Sequence, residues 1–376
     1  MIERMAAAET RGGRLGRFLR EFTDGVTTRD FKRLFDRDAA HAYRVLARDR
    51  DTGEEPTGRV RRTLHRAKIV FLGISDKLTP ARRVLFGIAI LAAILGLFSF
   101  HTVIRHEHVS IDFSPIAHPV SIALLVFLLA LELVDRVLVR DELEVARQLQ
   151  RDLLPTNAPA LAGYDIAHSY RTANEVGGDY YDFLPLPDGR TALIIGDASG
   201  HGMAAGLLMA IANAALKLAV EVDPSPIRVA ELLNRVLCRT GDRHAFMSLF
   251  YAVLSPADGH LDYVCAGHPF PLLRRAGGTV IELGTGSLPL GIKRDVVLAP
   301  AAVSLERGDV LVLFSDGLPE AVDPAGEALG YDALRALLAA PGTPRQIHDR
   351  FMMALDSHRR DEPIKDDLSI VVVARV

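Results

Sequence analysis

The spacing of hydrophobic and polar positions changes along the chain, and these changes mark its segments. Apolar residues between Phe31 and Leu46 recur at helical spacing, behind Thr27 or Thr28 as the cap. A loop-forming stretch over 52–58 follows, and residues 59–83 then mix basic with apolar positions. We therefore expect residues 1–82 to form a helical N-terminal region.

Two uncharged apolar runs come next. Residues 84–104 contain no Asp, Glu, Lys or Arg, and a second such run covers 113–131. A helix of the first run's length measures about 30 Å, the thickness of the hydrocarbon core of a bilayer. The runs predict a transmembrane hairpin over 83–137, with spans at about 84–104 and 117–137. A buried helical hairpin is the alternative, but the lengths fit a membrane better than a core.

The charges around the hairpin predict its orientation. Arg82, Arg83, Arg136 and Arg140 flank it, whereas Arg105 is the one basic residue other than histidine in the loop between the runs. The positive-inside rule then places both termini in the cytoplasm, and the chain in the inner (cytoplasmic) membrane. The basic residues of 59–83 suit either a helix on an anionic membrane surface or simple juxtamembrane charge.

A charged helix is predicted over 138–154, where Leu138, Val145, Leu149 and Leu153 lie near heptad spacing. Two heptads are too few to establish a coiled coil. The helix could pair two chains in a homodimer and pass a signal from the membrane, or it could pack on its own domain. Pro155 ends it, and the linker covers 138–157.

Beyond the linker the pattern changes to short strands separated by turn signals. Strands are predicted at 164–171, 180–186, 191–195, 246–254, 261–265, 272–275, 310–314 and 368–374, and helices at 203–222, 227–238, 331–338 and 344–357. Many consecutive strands with two helix pairs indicate an α+β layered domain over 158–376. Cys238 and Cys265 lie in apolar contexts and predict reduced, buried thiols. The net charge of −3 gives no reason to expect nucleic acid as a partner.

Aspartates at strand ends are the candidate chemistry. Asp197 lies in a glycine-rich turn after an apolar strand, Asp179 follows two glycines, and Asp316 and Asp366 lie at two further strand ends. Mg²⁺ and Mn²⁺ prefer carboxylates, backbone carbonyls and water. Asp197 is the natural bridge between two such ions, and the carbonyl of Ala198 is a further ligand. Any one of these aspartates alone would be interpreted as a turn residue.

Other polar residues have plainer interpretations. We expect Asp182, Asp309 and Asp367 to be turn, capping or supporting residues. His201 and His268 could each protonate a leaving oxygen, but structural roles are favoured for both. The run from Gly177 to Tyr181 partly resembles the signature of diguanylate cyclases, without the Glu-Phe that should follow.

The ordered set of motifs is more specific. It comprises Gln148-Leu-Gln-Arg-Asp-Leu-Leu-Pro155, Val176-Gly-Gly-Asp-Tyr-Tyr-Asp-Phe183, Gly196-Asp-Ala-Ser-Gly-His-Gly202, Ala266-Gly-His-Pro269, Pro289-Leu-Gly291, Ser315-Asp-Gly-Leu-Pro-Glu-Ala321 and Lys365-Asp-Asp-Leu-Ser369. These motifs closely resemble the SpoIIE/RsbU-type branch of the PP2C-like (PPM) protein serine/threonine phosphatases. The resemblance implies two antiparallel β-sheets flanked by helices (αββα) and a binuclear Mn²⁺ or Mg²⁺ site. Asp179, Asp197, Asp316 and Asp366 match the family's metal-binding aspartates, and Ala198 matches its carbonyl ligand. Ala198, Ser315 and Ser369 replace commoner residues, and none of the three changes removes a carboxylate.

The resulting expectation is a membrane-anchored phosphatase that hydrolyses phosphoserine or phosphothreonine with a metal-activated water held at Asp197 and Asp179. By resemblance, its substrate is a phosphorylated anti-sigma-factor antagonist of the STAS type. The alternatives are an inactive membrane-anchored binding module of the same fold and, from Gly177-Gly-Asp179, a nucleotide cyclase.

Overall fold

The computed structural model describes residues 58–97, 114–240, 245–360 and 362–376, the backbone of 99–104 and 107–112, and Tyr43, Leu46 and Ala47. The chain divides into two compact units, Met1–Arg136 and Val137–Val376. The helix predicted over residues 27–46 lies almost entirely outside the described residues. In the order of the sequence, the helices are α1 (Arg59–Lys77), α2 (Pro80–Leu95), α3 (Ser114–Leu153), α4 (Met203–Val222), α5 (Pro226–Thr240), α6 (Tyr331–Ala339) and α7 (Pro344–Arg359).

The strands are β1 (Ser99–Ile104), β2 (Glu107–Asp112), β3 (Tyr164–Arg171), β4 (Asp179–Pro185), β5 (Thr191–Ala198), β6 (Met247–Leu254), β7 (His260–Ala266), β8 (Leu272–Arg274), β9 (Val280–Glu282), β10 (Ala301–Ser304), β11 (Val310–Phe314) and β12 (Leu368–Arg375). Strands β1 and β2 pair as an isolated antiparallel hairpin. In the second unit, one five-stranded sheet has the order β10-β7-β6-β5-β4 and the other has the order β3-β12-β11-β8-β9. All pairings within both sheets are antiparallel.

Both faces of the second sheet are covered, which explains its continuous apolar strands. On β11, Leu311 and Leu313 pack into a core shared with the first sheet and with α4 and α5. The alternate residues Val310, Val312 and Phe314 pack against α6 and α7. The order of layers is therefore helices, sheet, sheet, helices, and the predicted α+β sandwich is confirmed.

The first unit differs from the sequence prediction in its helix boundaries. Helix α2 begins at Pro80, a favourable first helical residue, and ends at Leu95, with Gly96 as its C-cap. Residues 99–104 of the first predicted span form β1, because the β-branched and aromatic residues there favour a strand over a helix. Helix α3 continues without interruption from Ser114 to Leu153, so the second predicted span and the linker helix are one element.

Among the described residues, a test of length and apolar composition selects one helix that could cross a membrane, namely α4. Half of its apolar window is buried inside the structure, and Ala205, Met209 and Leu216 on it are fully buried. Helix α4 is therefore a core helix of the second unit. The test does not select the spans predicted at 84–104 and 117–137, and these stay a prediction.

Candidate metal centre

Strand pairing brings two of the predicted aspartates together. In the antiparallel register of β4 and β5, Asp179 lies directly opposite Asp197. The N–H of Ala198 donates to the carbonyl of Gly178 at 3.2 Å. A Cβ on Gly178 would lie 2.6 Å from the Ala198 carbonyl oxygen and 2.9 Å from Asp197 Oδ1. Glycine is thus required at 178 because the backbone passes directly against the Asp197 turn.

The other two aspartates meet at one end of the second sheet. Strands β11 and β12 are antiparallel, and Phe314 at the end of β11 pairs with Ile370 near the start of β12. Asp316 follows β11 and Asp366 precedes β12, so both lie at this end. The N–H of Ser315 donates to the Ser369 carbonyl at 3.1 Å, which continues the pairing towards Asp316.

Asp367 joins the two sheets at this point. Its Oδ2 accepts from the N–H of Gly178 at 2.5 Å, and its Oδ1 accepts from the N–H of Ala173 at 2.8 Å. The side chain is buried, so these bonds are sheltered from water. Asp367 therefore fixes the loop before β4 to the loop before β12, a supporting role that agrees with the sequence interpretation.

The four candidate carboxylates lie in a strongly unfavourable environment for negative charge. Burial, followed by the neighbouring Asp197, raises the pKa of Asp179 well above its ordinary range. Burial and then Asp316, Asp366 and Asp367 raise the pKa of Asp197 to about 8. Burial and the neighbouring Asp366 raise the pKa of Asp316 to about 6, and burial raises that of Asp366. The mutual effects show that the four groups form one electrostatic cluster.

This cluster suits hard divalent cations. Asp179 Oδ2 and Asp316 Oδ1 are buried and have no hydrogen-bond partner among the described residues. In the same part of the chain, no three His, Cys, Asp or Glu side chains converge closely enough to hold one ion alone. Mg²⁺ usually keeps several waters and takes only one or two carboxylates. The unpartnered oxygens of Asp179 and Asp316 are therefore available as ligands for a hydrated divalent ion.

The two candidate histidines are placed differently. His201 is exposed in the turn between β5 and α4. His268 is buried, its Nδ1 lies 2.9 Å from Ser248 Oγ, and Ser248 Oγ accepts from the N–H of Asp197 at 3.3 Å. Burial lowers the pKa of His268 to about 3, so the ring is neutral at neutral pH. His268 supports the Asp197 strand through Ser248, and it cannot donate a proton as an imidazolium.

An open cavity of about 510 Å³ adjoins the cluster, with Asp316 in its wall. Phe270, Tyr331 and Arg335 line it, and Arg335 is held by Glu282 and by Asp332 at its rim.

Other proteins share this architecture. The model of the family described as Stage II sporulation protein E (SpoIIE) matches residues 187–376. Phosphoserine phosphatase RsbU of Bacillus subtilis is 29% identical over 244 residues, which cover 63% of this chain and 71% of RsbU. Phosphoserine phosphatase RsbP of the same organism is 26% identical over 237 residues, which cover 62% of this chain and 57% of RsbP.

Solved structures give the same fold. The SiaA-PP2C domain of Pseudomonas aeruginosa matches with a TM-score of 0.57 at 21% identity, over 64% of this chain and 98% of that domain. The RsbU and RsbW domains of Rv1364c from Mycobacterium tuberculosis match with a TM-score of 0.50 at 26% identity, over 59% of this chain and 63% of that one.

The double antiparallel sheet and its acidic end define a phosphatase domain of the PP2C type, a class that depends on divalent metal ions. The chain belongs to the SpoIIE family, and it is a serine/threonine protein phosphatase.

Sequence reasoning missed two residues that support this site. Ser248 can be connected with Asp197 only through the register of β5 and β6, which places them opposite each other. Gln150 lies on α3, and its side chain reaches Gly177 next to the Asp179 loop. Ser248 carries no signal of its own. Gln150 lies within the motif Gln148–Pro155, but the sequence assigns it no role, because its contact with Gly177 is distant in sequence.

Proposed function

We propose that this chain is a membrane-anchored phosphatase that removes phosphate from serine or threonine of a regulatory protein, using two Mn²⁺ or Mg²⁺ ions. The observation that carries the proposal is the convergence of Asp179, Asp197, Asp316 and Asp366 at one end of the double sheet. Asp179, Asp197, Asp316, Asp366 and the carbonyl of Ala198 would hold the ions. Asp197 is the bridging candidate, since it lies opposite Asp179 and its pKa responds to both Asp316 and Asp366.

When bound, two such ions lower the pKa of a bound water and offset charge on phosphoryl oxygens. The chain's own groups then position the reactants. Asp179 and Asp197 fix the place of the attacking water, and the cavity beside Asp316 admits the phosphorylated segment. Because His268 is neutral and buried, this ring is not the proton donor to the leaving serine oxygen.

The substrate class follows from the relatives. RsbU and RsbP are named phosphoserine phosphatases, and the Rv1364c structure contains an RsbU domain together with an RsbW domain. A phosphorylated anti-sigma-factor antagonist of the STAS type is the substrate that this resemblance supports.

Membrane anchoring is supported by the exposure of apolar side chains in the first unit. On α3, Ile116, Ile122 and Val126 are at least 60% exposed. On α2, Val84 is 62% exposed and Leu91 is 56% exposed. A helix that is apolar on several faces needs a protein core or a bilayer around it. Helix α2 has 16 residues, about 24 Å at 1.5 Å each, so it would need a locally thin bilayer or a contribution from the residues after it.

A homodimer through residues 138–154 has similar support. Leu138, Val145 and Leu149 are each more than half exposed on α3. They repeat at spacings of seven and four, which places them on one face of the helix. A second copy of α3 would cover this apolar stripe. The charged residues that lie between these three positions in the sequence would stay in water.

Two other functions are less well supported. An inactive binding module would not need four carboxylates that gather at one end of the double sheet and have raised pKa values. A nucleotide cyclase rested on Gly177-Gly-Asp179, and that turn belongs to a PP2C-type sheet with Asp197 as its partner.

The test is phosphate release from a phosphoserine protein by the full-length chain in detergent, with Mn²⁺, with chelator, and with Asp197→Asn. Mn²⁺-dependent release that disappears with chelator and in the variant is expected. Asp188→Asn, an exposed turn residue that pairs with Arg190, is the matched control and should retain activity. Cyclic product from a nucleoside triphosphate, or release that persists in Asp197→Asn, would contradict the proposal.

A further inference from the structure

A second cavity of the phosphatase unit is lined by arginine. It has a volume of about 300 Å³, and its described lining comprises Arg235, Cys238 and Arg239 of α5 with Arg294 and Asp295 of the loop between β9 and β10. All three arginines are exposed. Arg235 and Arg239 are four positions apart, so they lie on one face of α5. We refer to this feature as the arginine cavity.

One buried side chain fixes the loop to α5. Asn234 is 2% exposed, and its Nδ2 donates to the carbonyls of Lys293 and Arg294 at 2.9 and 3.0 Å. Its Oδ1 accepts from the N–H of Gly291 at 2.7 Å. Because Asn234 directly precedes Arg235, these bonds place Arg294 beside the arginines of α5. The arginine cavity is therefore held in place by the fold.

Three positive charges meet in the arginine cavity without matching negative charge. Among the residues that the structure describes, the three guanidinium groups take part in no ion pair and no hydrogen bond. A cation in the last turn stabilises a helix through the helix dipole, which accounts for Arg239. The same effect accounts neither for Arg235, one turn earlier, nor for Arg294 on the loop. Since like charges in one cavity repel each other, an anionic partner would be favourable.

The arginine cavity belongs to the end of the first sheet that carries the metal centre. Leu290 exchanges two backbone hydrogen bonds with Met247, each of 2.9 Å. Met247 in turn pairs with Ala198, the candidate carbonyl ligand. The loop that carries Arg294 therefore leaves the sheet next to the strand ends that form the metal site.

Apolar side chains of the same loop are exposed beside the charge. Ile292 is 44% exposed and Val297 is 87% exposed. Protein interfaces typically combine arginine with apolar contacts, whereas a free anion needs the charge alone. The mixture therefore favours a protein as the anionic partner.

We propose that the arginine cavity is a docking site for an acidic surface of the phosphoprotein substrate, separate from the site that receives the phosphoserine. This inference rests on the proposed function and names a second contact with the same substrate. Charge complementarity between such surfaces accelerates association, and added salt weakens it. The arginines leave the chemistry at the metal ions unchanged.

The experiment compares the double variant Arg235→Glu/Arg294→Glu with the control Arg190→Glu/Arg345→Glu, both in the full-length protein in detergent. The control makes the same change in charge. Arg190 lies in the turn between β4 and β5, at the end of the first sheet opposite the metal centre, and Arg345 lies on α7. Both control arginines pair with a carboxylate close in sequence.

Two substrates separate docking from chemistry. One is a phosphorylated STAS-type protein of net negative charge, and the other is p-nitrophenyl phosphate. At low salt, kcat/KM for the phosphoprotein should fall at least about 10-fold in Arg235→Glu/Arg294→Glu and stay within about 2-fold in the control. The salt dependence of this kcat/KM should become shallower in the first variant, and hydrolysis of p-nitrophenyl phosphate should be unchanged in both. Equal kcat/KM for the phosphoprotein in the wild type and Arg235→Glu/Arg294→Glu would overturn the proposal, as would an equal loss in the control.

Binding without turnover separates this inference from the proposed function. The Kd for the same phosphoprotein is measured in chelator, and it should rise at least about 10-fold in Arg235→Glu/Arg294→Glu but not in the control. That result would support docking even if the wild type released no phosphate with Mn²⁺, which would refute the phosphatase alone. Since the detergent contains no anionic lipid, an arginine cavity that served a membrane surface would leave this Kd unchanged. An unchanged Kd would overturn the proposal.

Discussion

Asp197→Asn should stabilise the chelator-treated protein while abolishing its activity. The wild-type side chain has a pKa of about 8 in the fold, against 3.8 when free, chiefly because it is buried and lies near Asp316 and Asp366. At about 1.4 kcal/mol for each pKa unit, holding this carboxylate ionised at pH 8 costs the fold on the order of 5 kcal/mol. Asparagine has nearly the same shape and no charge, so it avoids that cost.

The sign of the pH dependence follows from the raised pKa. Stability from protonated Asp197 is fully present below the unfolded pKa near 4 and is lost as the pH rises towards 8. In chelator, the wild-type protein should therefore lose stability between pH 5 and pH 8, and Asp197→Asn should lose less. If only a fifth of the cost were recovered, about 1 kcal/mol, the melting temperature of a unit of this size would rise by about 2–4 °C.

The assay is thermal unfolding of the unit Val137–Val376 at pH 5 and pH 8, with chelator and with Mn²⁺. Mn²⁺ at about 100 times its Kd should add about 2.7 kcal/mol for each ion that the wild type binds, and little to Asp197→Asn. The reasoning would be refuted if the variant melted below the wild type in chelator at pH 8. An equal gain from Mn²⁺ in both proteins would refute it as well.

Three further changes probe separate parts of the account. Gly178→Ala would place its Cβ 2.6 Å from the Ala198 carbonyl oxygen, so Mn²⁺-dependent phosphatase activity should fall at least about 10-fold. Activity near that of the wild type would contradict the close packing of this turn. Tyr331→Ala should raise KM for a phosphoprotein several-fold and leave hydrolysis of p-nitrophenyl phosphate unchanged, because the cavity contacts only the larger substrate. Equal effects on both substrates would exclude a role of Tyr331 in binding the phosphoprotein. Val145→Glu should shift the chain from dimer to monomer in light scattering, whereas Glu144→Gln on the same helix should not. A dimer in both variants would mean that the interface lies outside residues 138–154.

Much of the second unit could be predicted from local pattern. The apolar run at Val310–Phe314 is bounded by turn residues, and it forms a strand as expected. The glycines beside Asp179 and Asp197 predicted tight turns at strand ends, and the structure places both aspartates there. These features depend on neighbours in sequence, which is why a single sequence suffices for them.

The remaining features depend on tertiary contacts. Asp367 was interpreted as a supporting residue, but its bonds to Gly178 and Ala173 connect segments almost two hundred positions apart. In the sequence, Gln150 is one of several polar residues on a charged helix. Its bond to Gly177 is seen only in the folded structure. The uninterrupted α3 and the strand at 99–104 also escaped prediction, because apolar runs of this length are compatible with more than one element.

The number of Mn²⁺ ions bound per chain tests the central claim most directly. Equilibrium titration of the metal-stripped full-length protein should find two ions in the wild type. Asp366→Asn, which removes a ligand outside the proposed bridge, should weaken one of them, and Asp197→Asn should lose both, because its carboxylate is assigned to the two ions together. Two ions bound with wild-type affinity in Asp197→Asn would contradict the bridging site and the mechanism built on it.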